Sequence, residues 1–198
     1  MAAKPERREA ALMYAELRNF TRLSEVLQPD KVLELANEFF SFVSRSAIAG
    51  KGAVLHVHND SLLCSFAEGE RADFCQAAVA TAQAIQRDFG AIGERWQQGY
   101  GLPAAVALGM HTGEAVFGLA GQLGAQQFVA FGDCVSIAER LVHRARAGEI
   151  VMSASVLKAL GPQAKTLGAR ELSPLELGGK RPALAICGLL LETRLDFT

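Results

Sequence analysis

The sequence predicts an α+β domain with a mixed, mostly antiparallel sheet and helices packed on it. Short apolar runs of strand length alternate with longer segments in which apolar residues recur every three to four positions. The dipeptide Asn59-Asp60 separates two of the apolar runs, and because both residue types favour turns it predicts a hairpin over residues 53–66. The chain has 198 residues, of which 50% are hydrophobic, so it is long enough for one domain with its own core.

The first half of the chain alternates between predicted strands and helices. Pro29-Asp30 marks the first turn of a long helix, because proline and acidic residues are favoured there. The predicted elements are a strand at Ala10–Tyr14, a helical turn from Phe20 to about Val26, a helix from Pro29 that ends at Gly50-Lys51-Gly52, the hairpin, and a second amphipathic helix that ends near Trp96. Residues 97–103 are expected to form a loop rich in glycine.

The second half is predicted to contain another hairpin and the last helices. The turn of this hairpin is assigned to His111-Thr112-Gly113. The predicted elements are strands at Pro103–Met110 and Ala115–Leu119, a flexible arm at Gly118–Gln127, a strand at Phe128–Phe131, a helix at Cys134–Arg146, a strand at Ile150–Met152, a helix at Ser153–Leu160, and a final strand pair around Leu175 and Ala183–Leu189. The order β-α-β-β-α-β with extra C-terminal strands is typical of a ferredoxin-like core, which carries its helices on one face.

Composition and charge argue against several classes of protein. The net charge is −1, so the sequence indicates neither nucleic-acid binding nor a charged membrane-binding surface. No apolar run has membrane-spanning length, and the N-terminal segment lacks the apolar stretch of a signal peptide. The four cysteines are scattered without a CxxC pair, which argues against a zinc site or a disulfide framework and favours reduced, buried thiols in a cytoplasmic protein.

Two acidic residues follow apolar strands in similar settings. Glu16 comes after the first predicted strand, and Asp60 lies in the hairpin turn. If the two strands are neighbours, both carboxylates lie at one edge of the sheet, next to the turn Arg18–Phe20, whose helix N-terminus suits phosphate. Carboxylates beside a phosphate site are typical of a Mg²⁺ or Mn²⁺ nucleotide site. On spacing alone, the simpler interpretation, a solvated turn aspartate and a strand-end glutamate, is favoured.

The histidines suggest further alternatives. His56 and His58 lie on the same side of the strand that leads to Asp60, so these three residues could form a metal site of their own. His111 is interpreted as a hydrogen-bonded histidine at the end of a strand. His143 is interpreted as a residue on the surface of a helix.

Five segments carry a resemblance to a known family. They are YAELRNFTRLSE at Tyr14–Glu25, HNDSLLCSF at His58–Phe66, LGMHTGEAVFGLAG at Leu108–Gly121, FGDCVSIAERL at Phe131–Leu141 and AGEIVMSASV at Ala147–Val156. In this order and spacing they resemble the catalytic domain of class III nucleotidyl cyclases, the adenylate and guanylate cyclases. The resemblance covers about residues 10–190, which leaves residues 1–9 as a polar lead-in and 191–198 as a tail.

The resemblance implies two metal ions, Mg²⁺ or Mn²⁺, held by aspartates after the first strand and in the hairpin turn. Glu16 occupies the position after the first strand, and its side chain is one methylene longer than that of the family's aspartate. Asp60 occupies the position in the hairpin turn. The turn implied to bind the substrate phosphates consists of Leu17, Arg18, Asn19, Phe20 and Thr21. Asn19 and Asn59 stand where the family has glycines, and asparagine tolerates the same backbone conformation with more bulk near the phosphates.

The resemblance also implies residues that read the base and stabilise the reacting phosphate, and several of these are changed. The base-reading lysine and the aspartate or threonine of adenylate-type members correspond to His56 and Val129, and valine has no hydrogen-bonding side chain. On the last core helix, Arg140 matches the family's arginine, whereas Ser136 replaces an asparagine that binds the ribose. Lys180 is the nearest substitute for a phosphate-binding lysine near the C-terminal hairpin.

These departures leave two main hypotheses. In the first, the chain is a divergent cyclase that converts a nucleoside triphosphate into a 3′,5′-cyclic nucleotide and pyrophosphate, with altered base choice and low activity. The family then implies a homodimer with shared active sites, in which Glu16 and Asp60 of one chain act with Arg140 of the other. In the second, the chain is a catalytically silent, dimeric module that binds a nucleotide or a protein partner.

Overall fold

The computed structural model describes residues 4–67, 73–179 and 181–191. The strands of this part of the chain are β1 (Glu6–Arg18), β2 (Ala53–His58), β3 (Ser61–Ala67), β4 (Ala105–Ala120), β5 (Gln127–Phe131), β6 (Glu149–Ser153), β7 (Arg170–Leu175) and β8 (Leu184–Leu190). Its α-helices are α1 (Phe20–Val26), α2 (Pro29–Ala49), α3 (Phe74–Tyr100), α4 (Asp133–Arg144) and α5 (Ala154–Leu160), and a 3-10 helix follows at Gly161–Thr166. One sheet has the strand order β2-β3-β1-β4-β6-β8-β7, and β5 pairs with β4.

The sheet is mixed and mostly antiparallel, as predicted. Among the described strands, β4 and β6 form the parallel pair, with Leu108 opposite Ile150, and the other pairs are antiparallel. The predicted C-terminal strand pair is present as β7 and β8. The α+β fold class with its extra C-terminal strands is therefore confirmed. No helix in the described ranges combines the length and apolar character needed to cross a membrane.

The two longest strands, β1 and β4, lie side by side. Their register runs without interruption from Glu6 opposite Phe117 to Arg18 opposite Ala105. The first strand therefore extends beyond its predicted bounds at both ends. The turn predicted at His111-Thr112-Gly113 is wrong, because these residues lie within β4. Pairing with β1 holds them extended and overrides their local turn preference.

The second hairpin is formed by β4 and β5 instead of by two halves of β4. Val116 lies opposite Phe131 and Ala120 opposite Gln127, so both ends of the segment predicted as a flexible arm are part of the paired strands. The rings of Phe117 and Phe128 stack with their centroids 6.3 Å apart. This aromatic contact supports the pairing across the hairpin.

Different helices cover the two faces of the sheet. Ala11 of β1 belongs to the core formed with α2 and α3, whereas its neighbour Ala10 belongs to a cluster with β5 and α4. Helix α4 lies very close to β4 because Gly109 has no side chain there. A Cβ at Gly109 would be 2.1 Å from the backbone nitrogen of Val142. The expectation that the helices lie on one face is therefore wrong for α4.

Strands β2 and β3 form the predicted hairpin, with His58 opposite Ser61. Asn59 has a positive φ of 50°, as expected for the predicted hairpin turn.

Helix α3 continues beyond its predicted end near Trp96, through residues expected to form a loop. It ends where Gly101 takes a left-handed conformation with φ 69° and donates its backbone N–H to the carbonyl oxygen of Gln97.

Candidate functional site

Glu16 and Asp60 lie at the same end of the sheet. β1 and β3 are antiparallel neighbours with Glu16 opposite Ser61. The backbone N–H of Leu17 donates a 2.8 Å hydrogen bond to the Asp60 carbonyl oxygen. Both acidic residues line one pocket of about 430 Å³. The two residues therefore lie at the same end of the sheet, as expected if their strands are neighbours.

The last two residues of β1 and the turn after it form another wall of this pocket. All five residues of the predicted turn, Leu17–Thr21, contribute to its lining. Asn19 takes a left-handed conformation with φ 73° and ψ 12°, and its side-chain amide donates a 2.7 Å hydrogen bond to the carbonyl oxygen of Pro103. This bond ties the turn to the start of β4. Asparagine can take this conformation because its short polar side chain bonds locally.

The carboxylate of Glu16 is paired within the chain. Glu16 is only 8% exposed, and the guanidinium of Arg18 donates to its Oε1 atom. The Nε2 atom of His143, at the end of α4, lies 3.5 Å from its Oε2 atom. Burying a carboxylate is costly unless it is paired, so these two side chains explain how Glu16 is accommodated.

Arg18 also holds the end of α4. Its Nη2 atom donates hydrogen bonds of 2.5 and 2.7 Å to the carbonyl oxygens of Val142 and Ala145. A cation at a helix C-terminus is favourable, because the last carbonyl groups have no partner within the helix. The Nε atom of Arg18 is buried without a hydrogen-bond partner. Leaving such a donor unsatisfied costs about 1–3 kcal/mol.

Ser136 and Arg140 lie elsewhere on α4. Ser136 is exposed, whereas Arg140 donates to the carbonyl oxygens of Glu176 and Leu177 in the loop between β7 and β8. Arg181 anchors the same loop through hydrogen bonds of 2.7 and 2.6 Å to the carboxylate of Asp133. Within the described ranges, neither Ser136 nor Arg140 lines the pocket of Glu16 and Asp60.

The predicted base-reading residues are also outside this pocket. His56 is exposed on β2, and its ring stacks on that of His58 with the centroids 5.9 Å apart. Val129 is half-buried on β5, opposite Gly118 of β4. Lys180 lies outside the described residues. The structure therefore places the metal and phosphate candidates together in one chain, and places the base and ribose candidates apart from them.

His111 belongs to a hydrogen-bonded network with Ser153 and Ser155, at the junction of β6 and α5. Its Nδ1 atom lies 2.8 Å from the Ser153 hydroxyl, which in turn lies 2.8 Å from the Ser155 hydroxyl. Burial lowers the pKa of His111 below its ordinary value of 6.5, and the nearby carboxylate of Asp133 opposes part of this shift. His111 is hydrogen-bonded, as interpreted from the sequence, but it lies within a strand rather than at its end.

The sequence alone does not predict the contacts of Arg18 and His143 with Glu16. A signal for Arg18 was present, because residues two apart on a strand share one face. Its place in the sequence predicts Arg18 only as part of a turn that binds phosphate. His143 was interpreted only as a surface residue, and its side chain is indeed 63% exposed. Nothing local to α4 indicates that its last turn reaches the end of β1.

The pocket offers donor atoms suited to a hard divalent cation. The carboxylates of Glu16 and Asp60 are oxygen ligands, which Mg²⁺ and Mn²⁺ prefer. Across the described ranges, no group of three or more histidine, cysteine, aspartate or glutamate residues is arranged to hold a metal. That finding does not support the three-residue site of His56, His58 and Asp60. The chemistry of the donors fits Mg²⁺ or Mn²⁺, and the Oε1 atom of Glu16 is the one that already accepts from Arg18.

Comparisons with known sequences identify relatives of the chain. Adenylate cyclase 1 of Rhizobium meliloti (strain 1021) is 30% identical over 141 residues, which is 68% of this chain and 20% of that protein. An adenylate cyclase of Dictyostelium discoideum, described as terminal-differentiation specific, is 22% identical over 190 residues, which is 93% of this chain and 9% of that protein. The chain thus spans a fifth or less of the length of these relatives.

Solved structures share the fold. The adenylyl cyclase CyaB from P. aeruginosa superposes with a TM-score of 0.86 at 22% identity, covering 97% of this chain and 98% of that one. The guanylyl cyclase Cya2 has a TM-score of 0.81 at 24% identity, covering 99% and 98%. Residues 2–187 match the family described as the adenylate and guanylate cyclase catalytic domain. With nearly its whole length matched, the chain belongs to the class III adenylate and guanylate cyclase family.

Proposed function

We propose that the chain is a divergent nucleotidyl cyclase that converts a nucleoside triphosphate into a 3′,5′-cyclic nucleotide and pyrophosphate, with altered base choice and low activity. The observation that carries this proposal is that Glu16, Asp60 and the turn Leu17–Thr21 line one pocket. A structural neighbour, the guanylate cyclase domain of RhGC from Catenaria anguillulae, was solved in complex with GTP. That complex supports a nucleoside triphosphate as the class of substrate.

In the proposed reaction, the ribose 3′-hydroxyl oxygen attacks the α-phosphorus. A new P–O bond forms, the bond from the α-phosphorus to the oxygen bridging to the β-phosphate breaks, and pyrophosphate leaves with that oxygen. The hydroxyl proton passes to solvent. Glu16 and Asp60 would hold Mg²⁺ or Mn²⁺, two ions if the family pattern is kept. A bound ion neutralises phosphate charge and favours deprotonation of the 3′-hydroxyl.

Ser136 and Arg140 are proposed to complete the site from a second copy of the chain. Neither residue lines the pocket of its own chain in the described ranges, so a homodimer would be needed to bring them to it. A domain from Blastocladiella emersonii with the same fold is described as a non-canonical dimeric guanylyl cyclase domain, which supports self-association of such domains but not a particular arrangement of the two copies. Arg140 would place positive charge on the reacting phosphate, and Ser136 would bind the ribose.

The altered base choice is attributed to the residues at the family's base-reading positions. His56 can donate or accept one hydrogen bond, whereas the side chain of Val129 can do neither. A valine beside the base therefore cannot distinguish the amino group of adenine from the carbonyl oxygen of guanine through a hydrogen bond. We expect similar affinities for the two purine nucleotides.

The experiment is an assay of the purified protein with ATP, GTP, CTP and UTP, each with Mg²⁺ and with Mn²⁺. Asp60→Asn removes the turn carboxylate while keeping its shape, and Glu94→Gln on the exposed side of α3 is the matched control. A cyclic product that is lost in Asp60→Asn and kept in Glu94→Gln supports the proposal. Product formation that is equal in the two variants would contradict it.

The second candidate function is a catalytically silent domain that still binds a nucleotide. Two contacts favour it: Glu16 is held by Arg18, and Arg140 is held by the carbonyl oxygens of Glu176 and Leu177. Both side chains are thus engaged inside one chain. Binding of a fluorescent ATP or GTP analogue by a folded protein that forms no cyclic product with any nucleotide would favour this candidate over the enzyme.

A further inference from the structure

Arg18 connects three acceptors that belong to different parts of the fold. One is the carboxylate of Glu16 on β1, and the other two are the carbonyl oxygens of Val142 and Ala145 at the end of α4. The side chain of Arg18 is 21% exposed and that of Glu16 is 11% exposed, so water screens this ion pair only partly.

We propose that Arg18 is a positioning residue that competes with the divalent cation for Glu16 and couples occupation of the metal site to the end of α4. This inference rests on the proposed function, because it takes Glu16 as a metal ligand. It adds that the resident partner of Glu16 is a protein cation, which metal binding has to displace.

The competition follows from the contacts of Glu16. Its Oε1 atom accepts from Arg18, and its Oε2 atom lies 3.5 Å from the Nε2 atom of His143. A cation that binds either oxygen therefore replaces an existing partner, and like charges at close range repel each other. Asp60 makes no ion pair among the described residues, so its carboxylate provides the first ligand at no such cost.

The coupling follows from the other two hydrogen bonds. When Arg18 releases Glu16, its guanidinium loses the contact of its Nη1 atom and keeps only the Nη2 hydrogen bonds to the carbonyl oxygens of Val142 and Ala145, so it holds the end of α4 less firmly. The same helix carries Ser136 and Arg140, which the proposed function assigns to a second active site. Metal binding at one site is thereby communicated to a helix that serves the other. The buried Nε atom of Arg18, which has no partner, makes the present arrangement easier to leave.

The first test measures Mn²⁺ binding without nucleotide, by electron paramagnetic resonance of free Mn²⁺ and by calorimetry. Arg18→Gln removes the competing charge, and Arg22→Gln removes a charge from the same pocket without touching Glu16. We expect Arg18→Gln to bind Mn²⁺ about three- to tenfold more tightly than wild type. Arg22→Gln should stay within about twofold of wild type, and Arg18→Lys should restore much of the wild-type affinity because it keeps the charge.

Two further variants separate the possible outcomes. In a Glu16→Gln background, Arg18→Gln should no longer change Mn²⁺ affinity, because the carboxylate through which it acts is absent. Mn²⁺ should also speed hydrogen exchange of the amides near residues 142–146 in the wild type but not in Arg18→Gln. A merely structural role for Arg18 would lower the melting temperature without producing either result.

The failure of this inference is distinct from the failure of the proposed function. If Asp60→Asn and Glu16→Gln weaken Mn²⁺ binding but Arg18→Gln does not strengthen it, Arg18 does not compete, and the proposed cyclase remains. If neither the wild type nor Arg18→Gln binds Mn²⁺, this inference is overturned. The nucleotide assay described above decides separately whether the chain is a cyclase.

Discussion

The Nδ1 atom of His111 lies 2.8 Å from the hydroxyl of Ser153, so side chains link the parallel strands β4 and β6. Burial lowers the pKa of His111 below 6.5, which means that the fold favours the neutral ring. The unfolded chain therefore takes up the proton first as the pH falls. The stabilisation is complete above pH 6.5 and is lost as the pH drops from there through the lower pKa of the folded state.

We accordingly expect the free energy of unfolding to decrease below pH 6.5, with a contribution from His111 of at most about 1.4 kcal/mol per pH unit. His111→Gln should remove this part of the pH dependence. His56→Gln, on the exposed face of β2, is the control and should leave it in place. Denaturant titrations between pH 5 and pH 8 measure the effect, and equal slopes for wild type and His111→Gln would contradict it.

Gly109→Ala is expected to destabilise the domain. The added Cβ would lie 2.1 Å from the Val142 nitrogen and 2.6 Å from the Ala138 carbonyl oxygen, both backbone atoms that cannot rotate away. Helix α4 would have to shift, at a cost of about 1–3 kcal/mol. The Cβ that Gly90→Ala adds to α3 would have no other atom within 4 Å. This substitution should therefore stabilise the protein by about 0.5–1 kcal/mol, because alanine is favoured over glycine inside a helix. Chemical denaturation of both variants tests whether the free energy of unfolding falls in Gly109→Ala and rises in Gly90→Ala.

The thiols are expected to be unreactive in the native protein. Burial raises the pKa of Cys64 to about 12 and those of Cys75 and Cys187 to about 11, and it also raises the pKa of Cys134. Thiolate, the reactive form, is therefore scarce at pH 8. Titration with a disulfide reagent should detect the thiols only slowly before unfolding and all four at once in guanidinium. Rapid labelling of a native thiol would disprove this expectation.

Replacing His56 and Val129, the two residues proposed to contact the base, should create a preference between purines. His56→Lys combined with Val129→Thr restores the residue types that adenylate-type members of the family carry there. We expect the ratio of ATP affinity to GTP affinity to rise about tenfold, because hydrogen bonds to the base discriminate strongly. Competition binding measures this ratio whether or not turnover occurs. His58→Lys with Val129→Thr is the matched control, and an equal shift in that control would refute the role of His56.

The acidic part of the candidate site could be predicted from the sequence because local signals determine it. Asn59-Asp60 is a turn by residue type, and Glu16 lies near the end of the apolar strand β1, so both carboxylates are placed by short stretches of chain. Their meeting requires only that β1 and β3 be neighbours, and these strands pair with Glu16 opposite Ser61. The family's motifs then indicate which chemistry the pair can serve.

The sequence did not predict the features that depend on distant pairing. His111-Thr112-Gly113 has the composition of a turn, yet its partners in β1 keep it extended. Likewise, the contact of Arg18 with the end of α4 joins residues separated by most of the domain. Such contacts depend on the order of the strands in the sheet. The residues next to them in the sequence do not indicate that order.

The pairing of β1 with β4 also governs when the domain can fold during synthesis. Glu6 pairs with Phe117, more than half the chain away, so the N-terminal strand remains without this partner until β4 has left the ribosome. Closing such a long loop has to precede the gain from the strand contacts, which slows folding. The earliest stable nucleus is therefore expected to be the local unit of β2, β3 and α3. Residues 6–9 of β1, which in the described part of the chain pair with β4 and not with β3, would therefore stay unpaired until β4 has been made.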